Sequence, residues 1–196
     1  MRKLHRFKAA IGMAVILMLT ACGSNGVPDA KNWDMEDFSN VNQDGKPFSK
    51  ENLKGKVWVA DFIFTNCEDV CLPMTANMVK LQQMLKDEGI SDVEFVSFSV
   101  DPEVDKPEVL KEFGDQFNVD YTNWNFLTGY SQDDIEAFAM DNFKTIVQKP
   151  DNEDQVIHQT SFYLMDQDGK IIRDYTGLQG IPFDEMIKHI KILQNY

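Results

Sequence analysis

One apolar run, from Val57 to Phe64, is rich in valine, phenylalanine and isoleucine. A run of this length and composition is typical of a buried central strand. After it, apolar residues recur at helical spacing from Met74 to Leu85, which predicts an amphipathic helix that ends near Gly89. Cys67 and Cys71 are therefore predicted at a strand-to-helix junction.

The rest of the chain continues this alternation of strands and helices. Turn signals in Asn42–Gly45 and Asp166–Gly169 predict a hairpin near each end of the chain. Further helices are predicted where Pro107, Ser131 or Pro182 opens an apolar stripe. We expect one α/β domain, a sandwich of thioredoxin type with an N-terminal hairpin and an added hairpin near the predicted histidine loop. The other predicted strands are 93–100, 125–127, 161–164 and 171–175, and the other helices are 107–117, 131–143 and 182–193.

Residues 1–21 have the pattern of an export signal. Four basic residues in the first eight positions precede an apolar run at 9–19 that is too short to span a bilayer comfortably. The ending Leu-Thr-Ala-Cys resembles a bacterial lipoprotein signal, which implies cleavage before Cys22 and a lipid on its sulfur. An uncleaved anchor helix is the alternative. Both predict a domain held on the outer side of the cell membrane.

Composition divides the remainder into two predicted parts. Residues 22–35 carry glycine, serine, asparagine and proline with little apolar content and predict a flexible tether. Residues 36–196 form the predicted domain. Without residues 1–21 the chain has 15 basic and 32 acidic side chains, a formal charge of −17. Such a charge argues against a nucleic acid partner and would steer a basic or cationic one.

Cysteine chemistry offers three interpretations. If Cys22 carries lipid, Cys67 and Cys71 remain as a pair four residues apart, on one side of a first helical turn. The pair could be a structural disulfide, a redox-active dithiol or part of a metal site. A disulfide across so short a loop constrains the unfolded chain little. Unpaired amides at the helix terminus favour the thiolate form.

Histidine separates the last two interpretations. His189 lies in the final predicted helix and is interpreted as a solvated residue near its end. His158 precedes the strand 161–164, and in a thioredoxin-type sheet that loop faces the cysteine junction. One interpretation is a partly exposed loop histidine. The other is a third ligand, because two sulfurs and an imidazole form a soft donor set suited to copper.

Four segments of the sequence resemble the Sco/SenC family of copper-binding assembly factors for cytochrome c oxidase: FIFTNCEDVCLPM, FVSFSVDPEVDKPEVLKEF, NFLTGYSQDDIEAF and IHQTSFYLMDQDGK. The resemblance implies a thioredoxin-like fold. It also implies that Cys67, Cys71 and His158 bind one cuprous or cupric ion for delivery to the CuA centre of an oxidase subunit. One departure is Leu72, where many members have proline.

Two functions remain open at this point. A membrane-tethered copper metallochaperone needs the two cysteines and His158. A thiol-disulfide oxidoreductase that keeps the CuA cysteines reduced needs only the cysteines, and either function requires another thiol-disulfide oxidoreductase as reductant of the pair. A peroxidase would need an activating arginine, and Arg173, the one arginine after residue 21, is far along the chain.

Residues around the cysteines refine the choice. Thioredoxin-like reductases resemble one another in a two-residue cysteine spacing and a cis-proline opposite the pair, whereas this chain has a three-residue spacing and Gln159 and Thr160 in that loop. Both differences favour a metal. Asp69 and Asp101 are interpreted as cap or loop carboxylates, because copper held by soft donors gains little from a carboxylate.

Overall fold

The computed structural model describes residues 26–67, 69–151 and 153–195, so the predicted signal and Cys22 lie outside the described residues. Within those ranges, none of the helices has the length and apolar character needed to cross a bilayer. The strands are β1 (Ser39–Asn42), β2 (Pro47–Ser49), β3 (Val57–Ile63), β4 (Val93–Ser99), β5 (Trp124–Thr128), β6 (Val147–Gln148), β7 (Ile157–His158), β8 (Ser161–Met165) and β9 (Ile171–Thr176).

Helices join the parallel strands and close the chain. A 3₁₀ turn, Lys50–Leu53, follows β2, and a π-helical turn, Ala139–Phe143, continues the third α-helix. Seven strands form one sheet in the order β2-β1-β5-β4-β3-β8-β9, and β6 pairs with β7 in a separate ribbon. The α-helices are α1 (Cys71–Asp87), α2 (Pro107–Gln116), α3 (Gln132–Phe138) and α4 (Phe183–Gln194).

The centre of the sheet is β3, and all seven of its residues are buried. It runs parallel to β4, which runs parallel to β5, while β8 pairs with β3 in the antiparallel sense. A strand covered on both faces has no solvent-facing positions, which is why its sequence is almost continuously apolar. The helix after the cysteines packs as predicted, since Met74, Met78, Leu81 and Leu85 are all buried.

Two hairpins and one helix start were predicted and are present. The N-terminal hairpin joins β1 to β2, and the second joins β8 to β9. Ser131 begins α3 with a capping box, because its side chain accepts the Asp134 amide while the Asp134 carboxylate accepts the Ser131 amide. The predicted mixed α/β architecture is therefore confirmed.

Part of the predicted tether belongs to the packed structure. Val27 and Met35 are buried, and Trp33 forms a β-bridge with Ile171 at the edge of the sheet. These two buried side chains and the β-bridge hold the segment against the sheet, although its composition is mostly polar. The predicted boundary at residue 35 therefore does not coincide with the point where the chain begins to contact the sheet.

The prediction for His189 was wrong. This side chain is only 3% exposed, and its Nδ1 lies 2.6 Å from the Tyr175 hydroxyl. Burial lowers the pKa of His189 below its usual value, because the charged imidazolium loses its hydration. The helix buries the histidine along with its apolar neighbours because a hydrogen bond satisfies the ring.

Candidate metal centre

Cys67 and Cys71 differ in their backbone setting. Cys67 lies in the loop that leaves β3, whereas Cys71 is the first residue of α1. The expectation that both would share one helical turn was therefore wrong for Cys67. The sulfurs still meet, because the Cys71 amide donates a hydrogen bond to Cys67 Sγ over 3.3 Å. Neither Cys67 nor Cys71 forms a disulfide, and an unpaired helix amide donates a hydrogen bond to Cys67.

His158 reaches this pair from β7. Its Nε2 lies 3.4 Å from Cys71 Sγ, and its Nδ1 lies 3.0 Å from the Gln159 carbonyl oxygen. A carbonyl only accepts, so Nδ1 donates to it, and Nε2 is the ring nitrogen that faces the sulfurs. The Phe64 ring packs edge-on against the imidazole, with centroids 5.7 Å apart. These contacts orient the imidazole with Nε2 towards the sulfurs, which is the orientation a metal ligand requires.

Three donor atoms converge at this point. The sulfurs of Cys67 and Cys71 and a ring nitrogen of His158 lie within 4.8 Å of one another. The cysteines are buried and the histidine is half-buried. Two soft sulfurs and one nitrogen form a set that could hold a thiophilic metal ion. The sequence prediction had brought together these three residues.

The pKa values of the two cysteines are shifted in opposite directions. A hydrogen bond from Cys71 is the largest cause that lowers the pKa of Cys67 to about 3, with smaller contributions from His158 and backbone amides. The same hydrogen bond, followed by burial, raises the pKa of Cys71 far above its usual value. The pair therefore shares one proton, with the thiolate at Cys67 and the thiol at Cys71.

The loop after β4 is bonded to the cysteine loop through Asp105. This fully buried carboxylate accepts hydrogen bonds from the Thr65 hydroxyl at 2.5 Å, the Thr65 amide at 3.2 Å and the Ser99 hydroxyl at 2.5 Å. Burial raises the pKa of Asp105. Thr65 lies two residues before Cys67, so Asp105 positions the backbone from which that sulfur projects.

A second carboxylate bonds the same loop to the histidine ribbon. Asp101, which is 1% exposed, accepts a hydrogen bond from Lys149 Nζ at 2.8 Å. Lys149 directly follows β6, the strand paired with β7. The interpretation of Asp101 as a loop carboxylate agrees with this contact, and the other acid, Asp69, is exposed. Asp105 and Lys149 were not singled out by sequence reasoning, although two acids four residues apart after a predicted strand were a usable signal.

Comparison with known proteins places the chain in a family. A family model described as SCO1/SenC matches residues 28–194. The chain belongs to the SCO1/SenC family. A SCO1/SenC family lipoprotein from Bacillus anthracis has a crystal structure that is 56% identical, with a TM-score of 0.83, over 86% of this chain and 99% of that one.

Two further solved relatives bear on the site of this SCO1/SenC protein. BsSco, described as a member of the Sco family of cytochrome c oxidase assembly proteins and studied for a disulfide switch, is 55% identical with a TM-score of 0.79, over 86% of this chain and 97% of that one. Arabidopsis thaliana ScoI, solved with copper bound, is 26% identical with a TM-score of 0.69, over 83% and 99% of the two chains. These likenesses confirm the predicted thioredoxin-like sandwich.

This SCO1/SenC protein also buries a carboxyl group that sequence reasoning missed. Asp61 on β3 is 0% exposed, and both of its carboxylate oxygens lack a hydrogen bond partner within the described residues. Burial is the main cause that raises the pKa of Asp61 to about 7, and the nearby Ser97 and His158 side chains oppose it. A single acid within an apolar strand was the signal that could have revealed it.

The ribbon that carries His158 was also missed. Each of its strands has two residues, with Val147 opposite His158 and Gln148 opposite Ile157. So short a strand leaves no periodic pattern to detect. The prediction placed His158 in a loop. The structure places it on the short strand β7, where the antiparallel partner β6 holds it in position.

Proposed function

We propose that this protein is a copper metallochaperone that helps assemble the CuA centre of cytochrome c oxidase. The observation that carries this proposal is the convergence of the Cys67, Cys71 and His158 donor atoms within 4.8 Å. Thiolate and imidazole donors suit copper, and a neutral imidazole with its Nδ1 proton held leaves Nε2 free to bind. The copper-bound Arabidopsis relative and the oxidase assembly family of BsSco support the same cargo and target.

Copper titration of the reduced full-length protein in detergent tests this function. Wild type is expected to bind one copper ion, and His158→Ala should lose at least about a hundredfold in affinity, because a direct ligand is lost. The reduction potential of the cysteine pair should change little. Gln159→Ala is the matched control, since it alters the neighbouring side chain and keeps the carbonyl that receives Nδ1. A His158→Ala protein that binds copper tightly and supports full oxidase assembly at limiting copper would contradict the proposal.

A second candidate function is thiol-disulfide exchange with the oxidase subunit. The observation that favours it is the unequal pair of thiols, with the Cys67 pKa lowered to about 3 beside a protonated Cys71. A thiolate next to a buried thiol is the arrangement of a nucleophile and its resolving partner. This function would survive His158→Ala and fail in Cys67→Ala, so the same titration and assembly assays separate the two candidates.

We also propose that the mature protein is attached to the outer face of the cell membrane by lipid on Cys22. The basic start, the apolar run and the Leu-Thr-Ala-Cys ending support it, as does the description of the Bacillus anthracis relative as a lipoprotein. Two acyl chains hold a protein stably on a bilayer. Cys22→Ser is expected to abolish incorporation of labelled fatty acid. Continued cleavage at the same residue with unchanged membrane retention would contradict this attachment.

A further inference from the structure

Exposed apolar side chains are concentrated beside the candidate metal centre. Five large apolar side chains in the described part of the chain expose 44% to 56% of their surface. Single exposed apolar residues scattered over a surface are ordinary, whereas several around one site mark an interaction surface. Four of the five neighbour the site in the chain or in the ribbon, and we call them the apolar rim: Leu72, Val104, Ile146 and Ile157.

Three rim residues are direct chain neighbours of residues that build the site. Leu72 follows Cys71 in the first turn of α1, and Ile157 precedes His158 on β7. Val104 precedes Asp105, whose carboxylate binds Thr65 in the cysteine loop. The backbones of Leu72 and Ile157 are therefore one peptide link from a donor residue, and that of Val104 is one peptide link from the carboxylate residue that bonds the cysteine loop.

The fourth rim residue, Ile146, shares a face of the ribbon with Ile157. In an antiparallel pair, residues directly opposite each other point to the same face and alternate residues to the other. Val147 opposite His158 forms the inner face, and burial alternates along residues 145–148, with 145 and 147 buried and 146 and 148 exposed. Ile146 and Ile157 thus lie on the outer face, with the histidine beneath it.

The same loops carry mostly negative charge at the surface. Lys149 is bound to Asp101, and the Lys106 Nζ donates to the Pro102 carbonyl, so both lysines are engaged within the protein. Glu103, in the loop after β4, and Asp154, in the loop between β6 and β7, both act electrostatically on Lys149. The negative charges of the two loops therefore act on the same side chain. The exposed acids in these loops are Asp69, Glu103, Asp151, Glu153 and Asp154.

We propose that the apolar rim is the docking surface for the metal-accepting domain of the oxidase subunit, and this inference rests on the proposed function. The chemistry of the rim requires a partner with an apolar patch beside its own metal site and basic side chains around that patch. Apolar contact at the centre of an interface supplies affinity, and complementary charges around it supply orientation and association rate. Docking here excludes water from Cys67, Cys71 and His158 while the ion changes ligands.

Association of the reduced, copper-free full-length protein in detergent with the purified CuA domain of the cognate subunit tests the rim. Leu72→Ser and Ile157→Thr are each expected to raise the dissociation constant of the complex about tenfold, as truncation of a central apolar contact does. Each variant must first bind copper with the affinity of wild type, which shows that the site is intact. Dissociation constants equal to that of wild type, or a wild-type protein that does not associate, would overturn the docking surface.

Charge reversal tests the acidic surroundings of the rim. Glu103→Lys and Asp154→Lys are each expected to slow association roughly fivefold at low ionic strength and to have little effect at about 0.5 M salt. Asp87→Lys, the same charge change at the other end of α1, is the matched control. If all three variants slowed association equally, the effect would come from net charge alone, and local charge complementarity at the rim would be overturned. Normal association without copper transfer would contradict the proposed function and leave the docking surface standing.

Discussion

Asp61→Asn is expected to be more stable than wild type by roughly 4 kcal/mol at about pH 8, because it removes a buried carboxylate without a partner. The pKa of Asp61 rises from 3.8 to about 7 on folding, so the native state binds more protons than the unfolded state between these values. Stability that is present below the unfolded pKa is therefore lost as the pH rises towards 7. Asparagine does not ionise, and the loss disappears.

Urea unfolding of the reduced protein at several pH values measures this effect. The difference between variant and wild type should be small near about pH 3, where the carboxyl is mostly protonated in both states, and should grow to its full size by about pH 8. Asp87→Asn at the exposed end of α1 is the control and should show no such trend. A difference that does not change with pH would show that the Asp61 carboxyl does not titrate in the folded protein.

Cys71→Ala is expected to raise the pKa of Cys67 by roughly two pH units or more, because the hydrogen bond from Cys71 is its largest stabilising contact. In the wild-type protein that pKa is about 3, so the thiolate is present across the whole neutral and mildly acidic range. Ultraviolet absorbance of the thiolate, followed as the reduced protein is titrated with acid, reports the midpoint. The variant should lose its thiolate signal at a pH where wild type retains it.

Cys67→Ala provides the complementary measurement. Removing Cys67 takes away the first cause that raises the pKa of Cys71, so that pKa should fall towards the ordinary value of a buried cysteine. The pKa of the remaining cysteine should therefore rise in Cys71→Ala and fall in Cys67→Ala, so that the two values approach each other. Unchanged midpoints in both variants would mean that the sulfurs do not share a proton.

Sequence reasoning predicted the sheet and the donor set because both leave long or distinctive patterns. The apolar run of β3 and the helical spacing of α1 follow directly from burial, and the cysteine spacing with a distant histidine matched a family. His189 was misplaced because its own neighbours look like a solvated helix end. Its partner, Tyr175, lies on another element, and a single-sequence pattern does not reveal such tertiary contacts.

The supporting contacts of the site were beyond sequence reasoning for the same physical reason. Asp105 reaches Thr65 and Asp101 reaches Lys149 across 40 and 48 residues of chain. Their roles depend on which loops the sheet brings together, and the burial that raises the pKa of Asp61 depends on packing from both faces of β3. Residue type alone does not distinguish these acids from the exposed ones nearby.

Because the donors are far apart along the chain, metal binding at this site requires that folding be complete. Cys71 and His158 are 87 residues apart, and the contacts that support them involve the loops that leave β3 and β4 and the β6–β7 ribbon. An unfolded or half-folded chain keeps the two cysteines but lacks the imidazole at the sulfurs. An ion that needs all three donors therefore binds the native state alone and stabilises it by mass action. A destabilising substitution far from the site would then appear first as a protein that loads copper poorly.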